Sequence, residues 1–285
     1  MNGCQRIVHP ESLEEALVLL STAPEQYTPC AGGTDIFAAA RAKPNYTVGE
    51  NLLSIGRLPQ LRDINWDGTW LHVGAACTFA QLLEDPLVEA QAPLLAAASQ
   101  QVASPQIRNM ATIGGNVCNA SPAADGLTAL SALEAQCVLS RWQAGIVAKR
   151  IIPLSQLVSG PGHTQREPAE LLTEFLLPGY AGCPYGYEKV GLRSALAIAL
   201  LSLAVVVDRR QGLRLHVALG SLGPRTVVSR QAEQLAEVGE LNAATAAWLA
   251  AISPIDDLRS SAVYRRKAAE NLLRRQVALL LKEEY

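Results

Sequence analysis

The chain has 285 residues, 49% of them apolar, and a formal net charge of −2. This length allows two or three subdomains, each with a sizeable core. The nearly balanced charge gives no electrostatic reason to expect nucleic acid or an anionic membrane as a partner. No apolar run is long enough to span a bilayer and the N-terminus lacks the apolar stretch of a signal peptide, so a cytoplasmic location is expected.

The six cysteines and four histidines are scattered along the chain. No cysteine lies within four residues of another, so the sequence contains neither a zinc knuckle nor an iron–sulfur ligand run. Reduced thiols without a metal are the expected state, which is usual for a cytosolic protein. A metal site assembled from distant residues stays open as the alternative.

Hydrophobic periodicity divides the first half of the chain into short elements. Ser12 and Glu15 have the spacing of a capping box, which predicts a helix start. The second predicted helix is expected to end before Pro44. Further along, a turn at Asp67-Gly68 precedes an alternating strand pattern. The predicted helices span 12–20, about 36–42, 78–85 and 93–103, and the predicted strands span 28–31, 48–55 and 67–77.

The second half contains a helix, strands and a helical end. The run 178–186 is rich in Gly and Pro and is interpreted as a linker. Beyond it, 205–222 has the pattern of a hairpin around residues 209–212, and the chain is mostly helical from about Ser229. The remaining predicted elements are a helix at 126–135 and strands at 136–141, 148–154 and 171–177.

A double glycine lies in the segment AGGTD, residues 31–35, between a predicted strand and a predicted helix. Glycine permits positive φ and lets the backbone approach a ligand closely. The amides at the following helix start favour a phosphate, and Thr34 adds a hydroxyl donor. The spacing matches neither the Rossmann nor the P-loop motif, so a plain tight turn is an equally good interpretation.

A second double glycine lies in ATIGGNVCNASPAADG, residues 111–126, where Thr112, Asn116, Asn119 and Ser121 supply hydrogen-bonding side chains. Segments with many donors and little bulk often surround phosphate or ribose, although an ordered surface loop has the same composition. Two such segments about 80 residues apart suggest two lips around one extended ligand, such as a dinucleotide. Asp125 is either an acceptor for ribose hydroxyls or a ring N–H, or the N-cap of the next helix.

The pair AGGTDI and IRNMATIGGNVCNASPAADG resembles the FAD-binding subunit, or domain, of the molybdenum hydroxylases. That family includes xanthine dehydrogenase, carbon monoxide dehydrogenase and aldehyde oxidoreductase. The resemblance continues in order along nearly the whole chain. It includes IPLSQLVSGPGHTQREPAELLTEFLLP, YEKVGLRSALAIA, ALGSLGPRTVVSRQAEQLA and DDLRSSAVYRRKAAENLLRR.

The resemblance implies an α+β flavoprotein of the vanillyl-alcohol-oxidase type, the PCMH-type FAD-binding fold. Two lobes, at about 1–56 and 57–177, would form the FAD-binding domain, with non-covalent FAD between them. The linker at 178–186 would lead to a domain at 187–285 with an antiparallel sheet and helices, similar to the C-terminal domain of the carbon monoxide dehydrogenase flavoprotein.

The resemblance also assigns cofactor contacts. Residues 29–36 should line the pyrophosphate and 112–116 should form the second lip. Val102 and Leu172 fall where the family has apolar contacts to the ring system, with ordinary core packing as the alternative. Lys189 falls where a lysine lies near the flavin, with a solvated lysine as the alternative. No catalytic residue is expected on this chain. The expected contacts are Pro29, Cys30, Ala31, Gly32, Gly33, Thr34, Asp35, Ile36, Val102, Thr112, Ile113, Gly114, Gly115, Asn116, Ser121, Asp125, Leu172 and Lys189.

The implied function is electron transfer within a heteromeric xanthine dehydrogenase-like enzyme. A large subunit would carry the molybdenum cofactor and a small subunit two [2Fe–2S] clusters, and the resemblance implies a dimer of heterotrimers. FAD on this chain would receive the electrons and pass them to NAD+ or another acceptor. Some relatives insert a cysteine-bearing loop for a [4Fe–4S] cluster, which is missing here, so FAD alone is expected. The loop LVSGPGHTQRE also lacks the aromatic residues that many relatives carry near the flavin, which leaves the acceptor open.

Two other functions are compatible with parts of the sequence. One is a stand-alone flavin oxidase, in which Cys118 could tether the flavin covalently. The other is a scaffold whose glycine segments no longer hold FAD, although both double glycines are intact. The organic substrate of an assembled enzyme would be bound by another chain, and a purine such as xanthine is the first guess.

Overall fold

The N-terminal lobe is built around a three-stranded parallel sheet in the order β1-β3-β2. The computed structural model describes residue 4 and residues 6–43 and 46–282, so Pro44 lies outside the described residues. The elements of this lobe are β1 (Arg6–Val8), α1 (Leu13–Thr22), β2 (Tyr27–Cys30), α2 (Thr34–Ala42) and β3 (Asn51–Ser54).

Helix α1 begins where the sequence predicts. The Ser12 hydroxyl accepts a hydrogen bond from the Glu15 amide at 3.1 Å, while the Glu15 carboxylate accepts from the Glu11 amide at 2.7 Å. The buried face of the helix, Ala16, Leu17 and Leu20, forms the centre of the core of this lobe.

The second lobe contains a five-stranded antiparallel sheet in the order β4-β5-β10-β6-β7, covered by short helices. Asp67 forms the predicted turn between its first two strands, because its carboxylate accepts from the amides of Thr69 and Trp70, each at 2.7 Å. The elements are β4 (Ile64–Trp66), β5 (Trp70–Gly74), α3 (Phe79–Glu84), α4 (Pro86–Gln91), α5 (Pro93–Gln100), α6 (Pro105–Arg108), α7 (Ile113–Cys118), α8 (Asp125–Ala132), β6 (Gln136–Gln143), β7 (Ile146–Pro153), α9 (Leu154–Leu157), β8 (Val158–Gly160), β9 (His163–Thr164) and β10 (Leu171–Pro178).

The C-terminal domain has a four-stranded antiparallel sheet in the order β11-β12-β13-β14, followed by three helices. The predicted hairpin is confirmed by the antiparallel pairing of β12 with β13, as is the helical end of the chain. The elements are β11 (Tyr185–Val190), β12 (Leu201–Asp208), β13 (Arg214–Gly220), β14 (Val227–Val228), α10 (Arg230–Glu237), α11 (Leu241–Ala251) and α12 (Ala262–Lys282).

Strand β12 joins the C-terminal domain to the second lobe, because its two faces are buried in different cores. Leu203 and Val205 pack in the core shared with α10, α11 and α12. Ala204 and Val206 point the other way, into the core of the second lobe. A strand covered on both sides is apolar at nearly every position, which explains the apolar run 203–207. The buried Ser202 is hydrogen-bonded to Thr128 at 3.2 Å.

The segment 178–186, interpreted from its composition as a linker, is packed against its surroundings. Tyr180 and Cys183 are buried in the core of the second lobe. The Arg210 guanidinium lies 5.2 Å from the centroid of the Tyr180 ring and donates to the Gly179 carbonyl. Strand β10 ends at Pro178 and β11 begins at Tyr185, so only residues 179–184 connect the lobe to the domain.

All six cysteines are free thiols. Within residue 4 and the ranges 6–43 and 46–282, no group of three His, Cys, Asp or Glu side chains is arranged to hold a metal ion. No helix in this described part of the chain is both long and apolar enough to cross a membrane.

Candidate functional site

A cavity of about 710 Å³ opens where the two lobes meet the C-terminal domain. Its volume lies within the range of pockets that hold small molecules and cofactors. Fourteen of the eighteen expected cofactor contacts line this cavity. They are Pro29, Ala31, Gly32, Gly33, Thr34, Asp35, Ile36, Val102, Thr112, Gly115, Asn116, Ser121, Asp125 and Lys189.

The first double glycine brings an uncapped helix start to the cavity. Gly33 is the N-cap of α2, with φ +70° and ψ 0°, and as a glycine it makes no side-chain cap hydrogen bond to the first turn of the helix. A non-glycine residue would be strained at this φ, and a Cβ there would lie 2.5 Å from the Phe37 ring. The N–H groups of the first helical turn have no partner within the helix, so this end of the cavity suits an anion.

The two glycine segments pack directly against each other. A Cβ at Gly32 would overlap the carbonyl oxygen of Met110, because the two backbones are in contact there. A second link crosses the cavity nearby, where the Asn119 side-chain amide donates to the Asp35 carboxylate at 3.2 Å. The two lips that the sequence predicted are therefore neighbours in space, although about 80 residues separate them in the chain.

The second glycine segment differs from the first in its local structure. Residues 113–118 form helix α7, and Thr112 caps it by accepting from the Gly115 amide at 3.1 Å. The first two amides of the helix are also occupied. The Ile113 amide donates to the Cys77 carbonyl at 3.0 Å and the Gly114 amide to the Ala75 carbonyl at 2.8 Å. The backbone amides of 113–115 are thus used within the fold, and this lip presents the bare Cα of Gly115 and the Thr112 and Asn116 side chains instead.

Four of the expected contacts lie behind the cavity wall: Cys30, Ile113, Gly114 and Leu172. Gly114 is buried at a position with no room for a side chain, since a Cβ there would lie 2.6 Å from the Ala75 carbonyl oxygen. Leu172 and Ile113 belong to the core of the second lobe. For Leu172 the structure therefore favours ordinary core packing, whereas Val102, in the same core, also reaches the cavity.

Asp125 and Lys189 form a buried ion pair on the cavity wall. The Lys189 ammonium donates to one Asp125 carboxylate oxygen at 2.6 Å and to the Gln101 carbonyl at 3.0 Å. The Tyr187 hydroxyl donates to the other carboxylate oxygen at 2.7 Å. The Lys189 side chain is only 7% exposed and the Asp125 side chain only 8%. Two alternatives are therefore wrong: Asp125 is not the N-cap of α8, which is Ala124, and Lys189 is not a solvated lysine.

The charge balance of this pair follows from its burial. Burial raises the pKa of Asp125, and the Lys189 ammonium and the Tyr187 hydroxyl oppose that shift. Burial and the neighbouring Asp125 carboxylate hold the pKa of Tyr187 well above its usual value, so the phenol remains a hydrogen-bond donor. Asn116 supports the same region, because its side-chain oxygen accepts from the Leu127 amide near the start of α8 at 3.2 Å.

The sequence did not indicate part of the cavity wall. Leu196, Ala197 and Ile198 reach it from a loop between β11 and β12 that the sequence placed within one continuous apolar run. Exposed apolar side chains are a weak signal alone, but 50% of Leu196 and 63% of Ile198 remain exposed here. The other lining residues outside the expected contacts are Ala39, Lys43, Tyr46, Phe79, Ala103 and Ile107, together with Ala111, Cys118, Asn119, Ala123 and Ala124 of the second glycine segment, where the sequence had already indicated Asn119 as a hydrogen-bonding side chain.

One cavity thus combines an open helix start with an apolar wall, an arrangement that suits a phosphate-containing cofactor with a ring system, such as a flavin nucleotide. The model of the FAD binding domain in molybdopterin dehydrogenase matches residues 3–180, and that of the CO dehydrogenase flavoprotein C-terminal domain matches residues 187–280. The chain therefore belongs to the FAD-binding subunits of the molybdenum hydroxylases and has the PCMH-type fold that its sequence implied.

Two relatives and one solved structure match this chain along nearly its full length. The chain is 30% identical over 275 residues to the carbon monoxide dehydrogenase medium chain of Hydrogenophaga pseudoflava, covering 93% of each chain. It is also 30% identical over 280 residues to a putative xanthine dehydrogenase FAD-binding subunit of Escherichia coli (strain K12), covering 94% of this chain and 92% of that one. A solved carbon monoxide dehydrogenase from Hydrogenophaga pseudoflava, which lacks the Mo-pyranopterin moiety of its cofactor, superposes with a TM-score of 0.88 at 28% identity, covering 98% and 97% of the two chains.

Proposed function

We propose that this chain binds FAD non-covalently in the cavity between its lobes and passes electrons from a partner subunit to a soluble acceptor. The uncapped start of α2, facing a cavity next to two closely packed glycine segments, carries this proposal. A pyrophosphate needs donors and little bulk, and this helix start offers both. The apolar side chains of Val102 and Ile107 on the same cavity offer a surface for a flat ring system.

The residues of this chain hold and orient the cofactor. The amides that begin α2 and the Thr34 hydroxyl would bind the pyrophosphate, and the fourteen lining residues named above are the proposed contact set. Gly115 keeps the cavity clear of a side chain. Gly33 supplies the positive φ at the helix start, where a Cβ would meet the Phe37 ring, and Gly32 and Gly114 allow close backbone packing. Lys189, fixed by Asp125, would place a positive charge next to the cofactor.

FAD, when bound, supplies the redox chemistry, accepting electrons on one side and giving them up on the other. Among the acceptors, NAD+ is the one we propose. Mixing the FAD-loaded chain with NADH in the absence of oxygen tests the acceptor site separately, because NADH should bleach the flavin absorbance if NAD+ binds there. Slow or absent bleaching by NADH, with rapid bleaching by a chemical reductant, would point to another acceptor.

The relatives are named as medium chains and FAD-binding subunits, which supports a role within a larger enzyme. We propose a cytoplasmic dimer of heterotrimers, with a large subunit for the molybdenum cofactor and a small subunit for two [2Fe–2S] clusters. Within this chain we propose an FAD-binding domain at 1–177, with lobes at about 1–56 and 57–177, a connection at 178–186 and a C-terminal domain at 187–285.

Purification of the tagged chain from the organism that encodes it tests the assembly. Metal analysis together with released flavin should give about one molybdenum and four irons for each FAD, since two [2Fe–2S] clusters contain four irons. The same chain expressed alone should contain FAD and neither metal. Native material with FAD and no molybdenum or iron would contradict the heteromeric enzyme and leave a stand-alone flavoprotein.

A further inference from the structure

We propose that Tyr187 is a positioning residue. Through its hydrogen bond to Asp125 it holds the Lys189 ammonium at the cofactor cavity, and it sets the pH at which Asp125 takes up a proton and the Asp125–Lys189 ion pair is lost. The inference rests on the proposed function, because it concerns the effect of this chain on bound FAD. It arises from three side chains that cross the boundary between the second lobe and the C-terminal domain.

The geometry links two residues of one strand to a single carboxylate. Tyr187 and Lys189 are two positions apart on β11, so their side chains lie on the same face of the sheet. Both point at Asp125, the first residue of α8, and each takes one carboxylate oxygen, at 2.7 Å and 2.6 Å. Lys189 lines the cavity with Asp125, whereas Tyr187 does not and lies behind them against the core of the second lobe.

This arrangement makes Tyr187 act through Asp125. A hydroxyl that donates to a buried carboxylate stabilises its charged form, which is the form that holds an ammonium. Without that donor one carboxylate oxygen loses its bond, and Asp125 takes up a proton at a higher pH. A neutral Asp125 no longer forms an ion pair with Lys189, so the positive charge beside the cavity is left uncompensated and keeps only its bond to the Gln101 carbonyl.

Few charged groups other than Lys189 lie near the Asp125 carboxylate. Lys189 is the only formal charge that acts appreciably on Asp125 in the described part of the chain, with Tyr187 as the other titratable neighbour. On α6, Arg108 donates to the carbonyls of Gln100 and Val102, on either side of the Gln101 carbonyl that Lys189 binds. Glu188 points away, towards Arg275 and Gln276 of α12. Asp35, the other carboxylate that lines the cavity, also has a pKa raised by burial, so a pH effect centred on Asp125 is recognised by its loss in Asp125→Asn.

The test is the midpoint potential of bound FAD, measured against pH from about 4.5 to 9 in the full chain. In the wild type the potential should show an added rise at low pH, where Asp125 becomes neutral and its negative charge is lost. Tyr187→Phe should still bind FAD but show that rise about one pH unit higher, the value of one hydrogen bond to a charged group. Tyr185→Phe is the matched control, because Tyr185 lies two positions earlier on the same strand, is 41% exposed and does not line the cavity.

A double-mutant cycle shows whether the effect passes through Asp125. In an Asp125→Asn background, which has no carboxylate to titrate, Tyr187→Phe should leave the pH profile unchanged. A fluorinated tyrosine at position 187 has a more acidic, stronger donor hydroxyl and should move the rise to lower pH. If Tyr187→Phe does not fold, this isosteric replacement decides the matter alone.

The proposal is overturned if the profiles of Tyr187→Phe and the wild type coincide, if the fluorinated tyrosine causes no shift, or if Tyr187→Phe still shifts the profile with Asp125→Asn present. Its failure differs from failure of the proposed function. A wild-type chain that does not bind FAD contradicts the proposed function, whereas one that binds FAD with a profile insensitive to position 187 contradicts this inference only.

Discussion

Gly32 and Met110 are in backbone contact, so that a Cβ on Gly32 would overlap the Met110 carbonyl oxygen. Gly32→Ala must therefore push the two glycine segments apart. Overpacking of this kind costs about 1–3 kcal/mol of unfolding free energy, and we expect FAD to be lost together with stability. Urea unfolding and the flavin content of the purified variant measure both. Retention of full stability would show that the contact between the segments is not required.

Gly115→Ala should lower the affinity for FAD while leaving the unfolding free energy nearly unchanged. A Cβ there meets only the Thr112 hydroxyl, at 2.9 Å, and otherwise points into the cavity. Alanine also has the better helix propensity, by about 1 kcal/mol, so the unfolding free energy should change little. The affinity for FAD should fall about tenfold, as expected when one extra methyl crowds a fitted ligand.

Gly160→Ala is the matched control for Gly115→Ala, because a Cβ at Gly160 has no atom within 4 Å and the residue lies outside the cavity. It should change neither the affinity for FAD nor the unfolding free energy appreciably. Equal FAD affinity in Gly115→Ala and Gly160→Ala would exclude Gly115 from the cofactor site.

Leu172 and Val102 should respond differently to truncation, because only Val102 reaches the cavity. Leu172→Ala removes a fully packed core side chain and should cost about 3 kcal/mol of unfolding free energy, with little change in FAD affinity under folding conditions. Val102→Ala removes two methyl groups, and because the side chain lies partly in the core, FAD binding should weaken about fivefold, the value of roughly one buried methyl group. A larger loss of affinity in Leu172→Ala than in Val102→Ala would restore Leu172 as a cofactor contact.

The sequence predicted the elements that depend on local signals. Thr78 starts α3 with a complete capping box, in which its hydroxyl accepts from the Gln81 amide and the Gln81 side chain accepts from the Thr78 amide. The hairpin of β12 and β13 and the two glycine segments were likewise visible in the residues themselves. Such features depend on neighbours a few positions away, which a sequence displays directly.

The remaining differences come from distant contacts. The helix at 113–118 contains two glycines, which local propensity disfavours, and its first amides are satisfied by carbonyls of Ala75 and Cys77. On β10 a β-bulge between Leu172 and Glu174 breaks the alternation that would tell which face Leu172 occupies. The bond between Lys189 and Asp125 joins residues 64 positions apart, so the sequence could suggest both residues but not their pairing.

His72 gives the second lobe a pH-dependent contribution to stability. It lies between two carboxylates, with ring nitrogens 2.6 Å from Glu174 and 3.0 Å from Asp67. Burial alone would lower the pKa of His72, but the hydrogen bonds to Asp67 and Glu174 outweigh it and raise the pKa. A raised pKa in the folded state gives stability that is fully present below about pH 6.5, the unfolded value, and is lost as pH rises through the folded value.

The measurement is the unfolding free energy of the wild type and His72→Gln from pH 5.5 to 8.5. The difference between them should be largest at pH 5.5 and shrink towards pH 8.5, and added salt should reduce it because the group is partly solvated. A difference that grows with pH would show that the neutral imidazole, rather than the imidazolium, is the stabilising form.

The most direct test of the central claim is the absorbance spectrum of the purified chain, followed by heat denaturation and chromatography of the supernatant. We expect a flavin band at about 450 nm and release of about one FAD for each chain, as our proposal of a non-covalent cofactor in the cavity requires. Colour that stays with the denatured protein would indicate a covalent flavin and a different class of enzyme. No flavin, even after FAD has been added to the folded chain, would contradict the assignment of the cavity between the two glycine segments as a cofactor site.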